Sequence, residues 1–314
     1  MNKLAFVFPG QGAQAVGMGK EFYDHYEVAK KLFQEADEAL GYSITKLCFE
    51  GPEEELKLTA NTQPAILTVS VIAQELLKEN GIAPDIVGGH SLGEYSALVA
   101  AGVLSFSDAV VLVHKRGQYM QEAVPVGKGG MAAIIGLDNE VIGKACEEAS
   151  KEAGAVQPVN FNCPGQTVIA GTTEGVKAAV EKLSAAGAKK AVVLPVSAPF
   201  HSTLMKPAAE KLAAELDKVS LSDAKIPVVD NYTGKLEQDA AEIKQNLVAQ
   251  ADHPVQWIQC VETMRDFGAD TYVEAGPGRT LCGLNRRIDR KLKSLHVENI
   301  ETLKKVLDSF KEVR

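Results

Sequence analysis

The sequence predicts an α/β protein in which a domain with a parallel sheet is interrupted by a small ferredoxin-like subdomain. Apolar strand-like runs alternate with helical patterns along most of the 314 residues, and this order is typical of a parallel sheet. Between residues 127 and 196 the order changes to β-α-β-β-α-β, the order of a ferredoxin-like unit. Because the α/β pattern continues on both sides, residues 1–126 and 197–314 are predicted to form the larger domain and residues 127–196 the insertion.

Composition and charge exclude several classes of protein. With 46% hydrophobic residues the chain can bury a sizeable core, and its net charge of -8 argues against a general nucleic-acid binder. The apolar run at residues 1–8 is too short for a signal peptide, and no run approaches the roughly 18 apolar residues of a membrane span. The five cysteines show no metal or redox spacing, so we expect a reduced, cytoplasmic compartment.

The first strand is predicted at residues 4–8, and a glycine-rich loop follows its carboxyl end, where functional loops of open α/β sheets gather. The pattern Gly10-x-Gly12-x-x-Ala15 loosely fits a dinucleotide fingerprint. That motif requires a second strand, whereas residues 21–40 have the apolar spacing of a helix, so we reject a nucleotide site. Gln11, between glycines that let a ligand approach the backbone, is predicted to line the functional site instead.

The remaining elements follow from capping residues and apolar periodicity. A helix is predicted to begin at residues 62–64, where Pro64 suits a first turn, and to stop at 80–81. A strand at 86–87 precedes a second helix, and Ser105 is the expected cap of a third that runs to about residue 123. In the insertion the predicted strands are 131–135, 156–162, 167–170 and 191–196, and the helices are 139–153 and 173–186. Beyond it we expect a helix capped by Ser202 or Thr203, strands at 226–231 and 271–274, and helices at 280–292 and 301–311.

The sequence GHSLG at residues 89–93 matches G-x-S-x-G, the nucleophile elbow. It lies between a predicted strand and a predicted helix, which is the context that the motif requires. Two glycines are needed because a strand that turns directly into a helix brings backbone against backbone on both sides of the serine. The turn presents the hydroxyl of Ser91 and directs the first amides of the helix at the same space, where they stabilise a developing negative charge.

A serine hydroxyl needs a neighbouring base at neutral pH, most often a histidine. His201 is the best candidate because it lies in a loop where the chain leaves the insertion. His90 is next to Ser91 in the sequence, but consecutive side chains at an elbow point apart. The six histidines are His25, His90, His114, His201, His253 and His296.

Five motifs together carry a resemblance to a known family. The motifs, in chain order, are FPGQGAQ at 8–14, GHSLGEY at 89–95, KRG at 115–117, NFN at 160–162 with PGQ at 164–166, and PFHS at 199–202. With these motifs in register, the chain is similar to the malonyl-CoA:acyl carrier protein transacylases of bacterial type II fatty-acid synthesis, over essentially its whole length. This resemblance implies an α/β-hydrolase-like domain with a ferredoxin-like insertion, in agreement with the periodicity.

The resemblance implies acyl transfer by a ping-pong mechanism, in the service of fatty-acid elongation. Ser91 would attack the thioester of malonyl-CoA with His201 as its base, and the phosphopantetheine thiol of holo acyl carrier protein would then take the malonyl group from the serine. The backbone amides of Gln11 and Leu92 would form the oxyanion hole. In this family a backbone carbonyl orients the histidine, and Gln250 falls at the matching place, so no catalytic aspartate is expected.

Arg116 distinguishes this prediction from a general esterase. Its planar guanidinium suits bidentate pairing with the free carboxylate of a malonyl group. An acetyl group would leave this charge unpaired. The family further implies no metal or bound redox cofactor, a monomer, and a transient complex with the carrier protein.

Acyl carrier proteins of this pathway are acidic, whereas the chain itself is net negative, so docking requires a local basic patch. Arg286 and Arg287, with the basic residues at 290–293, form the densest group. Lys189 and Lys190, in the insertion, form a second candidate. A helix with one solvated charged face is an equally good explanation of the first group.

Three other functions stay open from the sequence. A serine hydrolase or thioesterase uses the same elbow, but Arg116 and the lack of a clear downstream catalytic acid count against it. A non-catalytic acyl-binding module is disfavoured because Ser91, His201 and an oxyanion loop are all present. A transferase that serves a polyketide pathway is the third. Phe200 would crowd a branched acyl group, but this does not separate the two pathways.

Overall fold

The computed structural model describes residues 3–196 and 198–311, and its ten strands form two separate sheets. The larger sheet has the order β10-β9-β1-β2-β7-β8, in which every neighbouring pair is parallel except the last. The smaller sheet has the order β4-β5-β3-β6 and is antiparallel throughout. The strands are β1 Lys3–Phe8, β2 Ile86–Gly89, β3 Gly129–Ile135, β4 Val156–Cys163, β5 Gln166–Thr172, β6 Lys190–Val193, β7 Val228–Val229, β8 Leu236–Glu237, β9 Ala269–Ala275 and β10 Lys293–Val297.

Fourteen α-helices surround these sheets in the described residues, none long and apolar enough to cross a membrane. A 3-10 turn, Thr203–Met205, leads into the tenth helix. The helices are α1 Lys20–His25, α2 Glu27–Leu40, α3 Ile44–Glu50, α4 Glu53–Leu56, α5 Thr59–Glu79, α6 Leu92–Ala100, α7 Phe106–Glu122, α8 Asn139–Glu152, α9 Thr173–Ala185, α10 Lys206–Leu216, α11 Ala240–Asp252, α12 Trp257–Asp266, α13 Thr280–Ile288 and α14 Ile300–Lys311.

The larger sheet is covered by helices on both faces, and its central strand β1 shows why. Side chains alternate between the two faces of a strand. Leu4, Phe6 and Phe8 pack into one apolar cluster, whereas Ala5 and Val7 pack into another. A strand with both faces buried is a near-continuous apolar run, which is the pattern the sequence shows at this position.

The smaller sheet has the element order and strand order of a ferredoxin-like unit, so the predicted fold class is confirmed. Its helices α8 and α9 pack on one face of the sheet over a core of its own, which includes Ile134, Ile142 and Leu183. Strand β4 meets the larger part of the chain through Val255, whose amide donates to the carbonyl of Val159 at 2.8 Å. This contact fixes one wall of the cleft between the two sheets.

The helix predicted to begin at residues 62–64 begins earlier, at Thr59, so Pro64 lies inside α5. A proline inside a helix removes the hydrogen bond to the carbonyl four residues back, here that of Ala60. The ring of His114 supplies the missing partner, because its Nδ1 lies 2.7 Å from the oxygen of Ala60. A side chain 54 residues away therefore makes the proline tolerable.

Other predicted boundaries were also wrong. The single helix expected at 21–40 is two helices, since Tyr26 is extended with φ -126° and ψ 128°. The strand expected at 191–196 ends at Val193, and the strand expected at 226–231 is only the two residues of β7. The helix expected at 280–292 ends at Ile288, and strand β10, which was not predicted, follows it. The hydroxyl of Ser202 caps no helix and donates to the carbonyl of Pro199. The cap at Ser105 is confirmed, and the predicted domain boundary at residue 197 lies outside the described residues.

Candidate active site

Strand β2 turns into helix α6 through Ser91, whose backbone has φ 52° and ψ -106°. A positive φ is strained for a residue with a side chain, and such strain is concentrated at functional sites. The flanking glycines leave no room for a methyl group: a Cβ on Gly89 would lie 2.0 Å from the carbonyl oxygen of Gly93, and one on Gly93 would lie 2.0 Å from that of Phe8. The steric reason for the motif therefore holds in the folded chain.

The side chain of His201 faces Ser91 directly. The hydroxyl of Ser91 lies 2.7 Å from Nε2 of the ring, and Nδ1 lies 2.7 Å from the backbone oxygen of Gln250. A carbonyl only accepts hydrogen bonds, so Nδ1 carries the proton and Nε2 is left to accept one from the serine. His201 also has a positive φ, 61°, so both members of the pair sit on strained backbone.

The environment of His201 keeps its ring neutral. Burial lowers the pKa of His201 from its ordinary 6.5 to about 3, and the charge of Arg116 acts in the same direction. The hydrogen bond from Nδ1 to Gln250 opposes this shift without reversing it. A neutral imidazole at physiological pH is the form that accepts a proton from Ser91.

This lowered pKa predicts an unusual acid limb in the pH profile. The neutral ring is the competent form, so acylation by malonyl-CoA is expected to persist as pH falls through 6.5 and to decline only toward the lowered pKa. The measurement is kcat/KM for CoA release against pH, because that ratio reports groups of the free enzyme. A half-maximal rate at the ordinary histidine pKa of 6.5 would contradict the prediction.

Arg116 is buried beside the same hydroxyl, with 2% of its surface exposed. Its Nη1 donates to Oε1 of Gln63 at 2.7 Å, and its Nη2 donates to Oε1 of Gln250 at 2.8 Å and to the hydroxyl of Ser91 at 3.2 Å. The guanidinium also lies 5.3 Å from the ring centre of Tyr95. These hydrogen-bond partners are all neutral, so the cation is held in place without being neutralised by a carboxylate hydrogen bond.

The two proposed oxyanion donors lie at the same cavity as Ser91. Leu92 is the first residue of α6, so its amide has no carbonyl partner within the helix. The loop that carries Gln11 packs against the elbow closely enough that a Cβ on Gly10 would lie 2.5 Å from the carbonyl oxygen of His90. Both amides belong to backbone segments that flank the nucleophile, and their role stays a prediction.

The cavity has a volume of about 130 Å³ and lies between the two sheets. Its polar end carries Ser91, His201 and Arg116, and its apolar walls come partly from the smaller sheet and the segment after it. The apolar lining consists of Leu92, Met120, Met131, Leu194, Val196 and Phe200. A charged end and an apolar wall together fit a short acyl group with a terminal anion.

His90 also borders the cavity, but its ring contacts Asn162 and Trp257. Its Nε2 lies 2.8 Å from Oδ1 of Asn162, and its ring packs against Trp257 with ring centres 5.6 Å apart. Burial lowers the pKa of His90 as well. The residue links the elbow to strand β4 rather than serving as the base.

Asn231, which was not predicted from the sequence, forms side-chain hydrogen bonds to the backbone of the elbow. Its Oδ1 accepts a hydrogen bond from the amide of Ser91 at 2.6 Å, and its Nδ2 donates to the carbonyl of Gly89 at 2.7 Å. The side chain thus bridges both ends of the strained turn. Its position shortly after strand β7, at the carboxyl edge of the sheet, was the available signal.

A chain of hydrogen bonds that the sequence did not reveal joins Arg116 to the oxyanion loop. Gln63 accepts from Arg116 and donates through Nε2 to the hydroxyl of Thr59 at 2.9 Å. Thr59 in turn donates to Oε1 of Gln11 at 2.7 Å. Gln63 and Thr59 are two of six polar residues buried in α5, with Thr62, Thr68, Ser70 and Gln74, so the sequence of this helix did not single them out.

Comparisons with known proteins find relatives over nearly the whole length of the chain. The family model described as acyl transferase domain matches residues 5–306. The chain is 49% identical over 312 residues to the malonyl CoA-acyl carrier protein transacylase of Bacillus subtilis, covering 99% of this chain and 98% of that protein. The crystal structure of an acyl carrier protein S-malonyltransferase from Vibrio cholerae superposes with a TM-score of 0.94 at 47% identity, covering 97% and 100% of the two chains.

A further solved structure holds a malonyl-transacylase in complex with a type II PKS acyl-carrier protein. It superposes with a TM-score of 0.95 at 47% identity, and covers 98% of this chain and all of that one. In the described part of this chain, no group of three or more His, Cys, Asp or Glu side chains is placed to hold a metal ion.

Proposed function

The chain belongs to the acyl transferase family, among the malonyl CoA-acyl carrier protein transacylases, and from this premise we propose that it transfers malonyl groups from malonyl-CoA to the phosphopantetheine thiol of an acyl carrier protein. One observation carries the proposal. The hydroxyl of Ser91 lies 2.7 Å from the base of His201 and 3.2 Å from the guanidinium of Arg116. Nucleophile, base and a cation for the free carboxylate therefore meet at one oxygen.

In the first half-reaction Ser91 attacks the thioester carbonyl carbon of malonyl-CoA while its proton passes to Nε2 of His201. The carbonyl oxygen becomes an oxyanion, for which the amides of Leu92 and Gln11 are the proposed donors, each typically worth about 3 kcal/mol. Collapse breaks the carbon–sulfur bond, and His201 returns the proton to the leaving thiolate. The products are free CoA and a malonyl ester on Ser91.

In the second half-reaction the thiol of the carrier's phosphopantetheine replaces CoA. Its proton passes to His201, its sulfur attacks the ester carbonyl, and the carbon–oxygen bond to Ser91 breaks. His201 then returns the proton to the serine, which restores the starting enzyme. The backbone carbonyl of Gln250, 2.7 Å from Nδ1 of His201, keeps the ring in one orientation for both transfers.

The test is the intact mass of the protein after brief mixing with malonyl-CoA or with acetyl-CoA, followed by peptide mapping. We expect a malonyl adduct on Ser91 with malonyl-CoA, little adduct with acetyl-CoA, and loss of the adduct when holo carrier protein is added. Steady release of CoA without an adduct would instead indicate a hydrolase. Neither release nor adduct would indicate an acyl-binding module.

We propose that the malonyl group is passed to a carrier protein of fatty-acid elongation. A carrier protein of a polyketide pathway is the second candidate. The second is favoured by one observation, the similarity to a malonyl-transacylase bound to a type II PKS acyl-carrier protein. Purified holo carriers of both classes, offered in competition for the malonylated enzyme, distinguish the two. Preferential transfer to the polyketide carrier would overturn the first assignment.

Carrier docking is proposed at the basic end of α13. Arg286 and Arg287 are both exposed, but Arg287 also donates to Oε1 of Gln166 at 2.6 Å and so links α13 to the smaller sheet. Arg286→Glu is therefore the cleaner change. We expect it to slow transfer to an acidic carrier about tenfold at low salt, with a smaller effect as salt screens the attraction.

The matched control for this prediction is Lys304→Glu, which makes the same charge change at an exposed position of α14. Transfer rates are measured from malonylated enzyme, so that binding of malonyl-CoA does not enter. Equal rates for wild type and Arg286→Glu at low salt would remove Arg286 from the docking surface. An equal loss in both variants would show a general charge effect instead.

We also propose that residues 127–196 form a separate subdomain, that the protein is a monomer, and that it works in the cytoplasm. All five cysteines are free and buried, which suits a reducing compartment. Sedimentation equilibrium across a concentration series tests the monomer. A mass that rises to twice that of one chain would contradict it.

A further inference from the structure

Glu94 lies in the first turn of α6, three residues beyond Ser91, and is fully buried. One carboxylate oxygen, Oε2, accepts two hydrogen bonds. The amide of Asn231 donates to it at 2.9 Å, and Nε2 of Gln250 donates to it at 2.9 Å. The acid therefore contacts two residues that surround the nucleophile but does not itself line the cavity.

The contact with Gln250 determines which end of that side-chain amide faces Arg116. Nε2 of Gln250 donates both to Glu94 and to the carbonyl of Ser91, at 3.0 Å, so its two N–H groups are in use. Its oxygen is consequently turned to Nη2 of Arg116 at 2.8 Å. With the amide reversed, an N–H donor would face the guanidinium, which has only donors.

The contact with Asn231 acts on the elbow itself. The backbone of Asn231 is held by Glu94, and its side chain bridges the carbonyl of Gly89 and the amide of Ser91. One carboxylate oxygen thus supports both the strained turn and the guanidinium beside it. A buried acceptor that is lost leaves two donors unpaired at once.

We propose that Glu94 is a positioning residue for acyl selectivity: it orients the amide of Gln250, and through it Arg116, toward the free carboxylate of the malonyl group. This inference rests on the proposed function, and it adds a residue that acts through Gln250 rather than on the substrate. The acceptor oxygen, not the negative charge, is the feature that matters.

The surroundings of Glu94 agree with a role as acceptor. Burial raises the pKa of Glu94 well above that of an ordinary glutamate, and the nearby carboxylates of Glu237 and Asp230 act in the same direction. A neutral glutamine has a carbonyl oxygen at the same place and a similar shape. Glu94→Gln is thus the conservative variant, and Glu94→Leu removes the acceptor while it keeps an apolar volume.

The experiment measures the rates at which Ser91 is malonylated and acetylated, and their ratio, in both variants. We expect Glu94→Leu to lower malonylation about tenfold or more, the effect of leaving a buried donor unpaired, with a smaller effect on acetylation. The ratio should therefore fall, and Glu94→Gln should restore it. Ser96→Ala is the matched control, since Ser96 is buried on the same helix and its hydroxyl has no hydrogen-bond partner among the described residues.

If Glu94→Leu loses malonylation and acetylation equally, the role of Glu94 is merely structural and the inference is overturned. The inference is also overturned if Glu94→Gln has as low a ratio of malonylation to acetylation rates as Glu94→Leu. If Glu94→Leu does not fold, Gln250→Met decides. It removes the amide that Glu94 orients and keeps the backbone carbonyl on His201, so an unchanged ratio would overturn the inference. Absence of a malonyl adduct in the wild type would instead remove the proposed function.

Discussion

Ser91→Ala is expected to lower the rate of CoA release from malonyl-CoA by about 10⁴-fold or more, the usual effect of removing the nucleophile of such a pair. The hydroxyl has no substitute in its position, because the elbow presents a single side chain 2.7 Å from Nε2 of His201. The measurement is a stopped-flow assay of free thiol, with intact mass to show that no malonyl ester forms.

His201→Ala and the double variant provide the control for this prediction. Ser91 and His201 take part in the same proton transfer, so the double variant should release CoA only slightly more slowly than Ser91→Ala alone. Circular dichroism shows whether the variants are folded. Losses that multiply in the double variant would mean that the two residues act independently, contrary to the 2.7 Å contact between them.

Arg116→Ala is expected to lower the ratio of malonylation to acetylation rates by about 10²–10⁴-fold, and so to remove the preference for malonyl groups. The estimate follows from the roughly 3–5 kcal/mol lost when one partner of a buried ion pair is removed. Arg116 is 2% exposed and its hydrogen bonds go to neutral groups, so the carboxylate of the substrate is its natural counter-charge. Acylation rates with the two CoA thioesters give the ratio.

Lys115→Ala is the matched control. Lys115 precedes Arg116 in the same helix but points away from the cavity, to Glu215 at 2.7 Å. Glu215 keeps its hydrogen bonds from Tyr119 and Lys218 when Lys115 is removed, and Lys115 does not line the cavity, so this change should not alter the acyl preference. Arg116→Lys keeps a positive charge without the planar guanidinium. If Arg116→Ala retained the full preference for malonyl, the role assigned to Arg116 would be refuted.

Local features of the chain allowed much of the fold to be predicted. The β-α-β-β-α-β order of the smaller sheet and the cap at Ser105 depend on short-range patterns, and both are present in the structure. Boundaries that depend on distant partners were predicted less well. Pro64 lies inside α5 because His114 satisfies the carbonyl of Ala60, and no pattern near residue 64 shows this contact.

The sequence by itself determined the elbow through a local pattern, because G-x-S-x-G lies between a strand and a helix, and a Cβ on Gly89 would meet Gly93 within the same five residues. The need for glycine at position 93 is tertiary, since a Cβ there would meet the carbonyl oxygen of Phe8 on the neighbouring strand β1. Only the tertiary structure decided what surrounds it. His201 is 110 residues from Ser91 along the chain, and Asn231 is 140 residues away. The orientation of Gln250 by Glu94 joins residues 156 apart. These hydrogen bonds depend on distances that exist only after the helices and loops around the larger sheet have packed, so sequence patterns identify candidates but not their pairing.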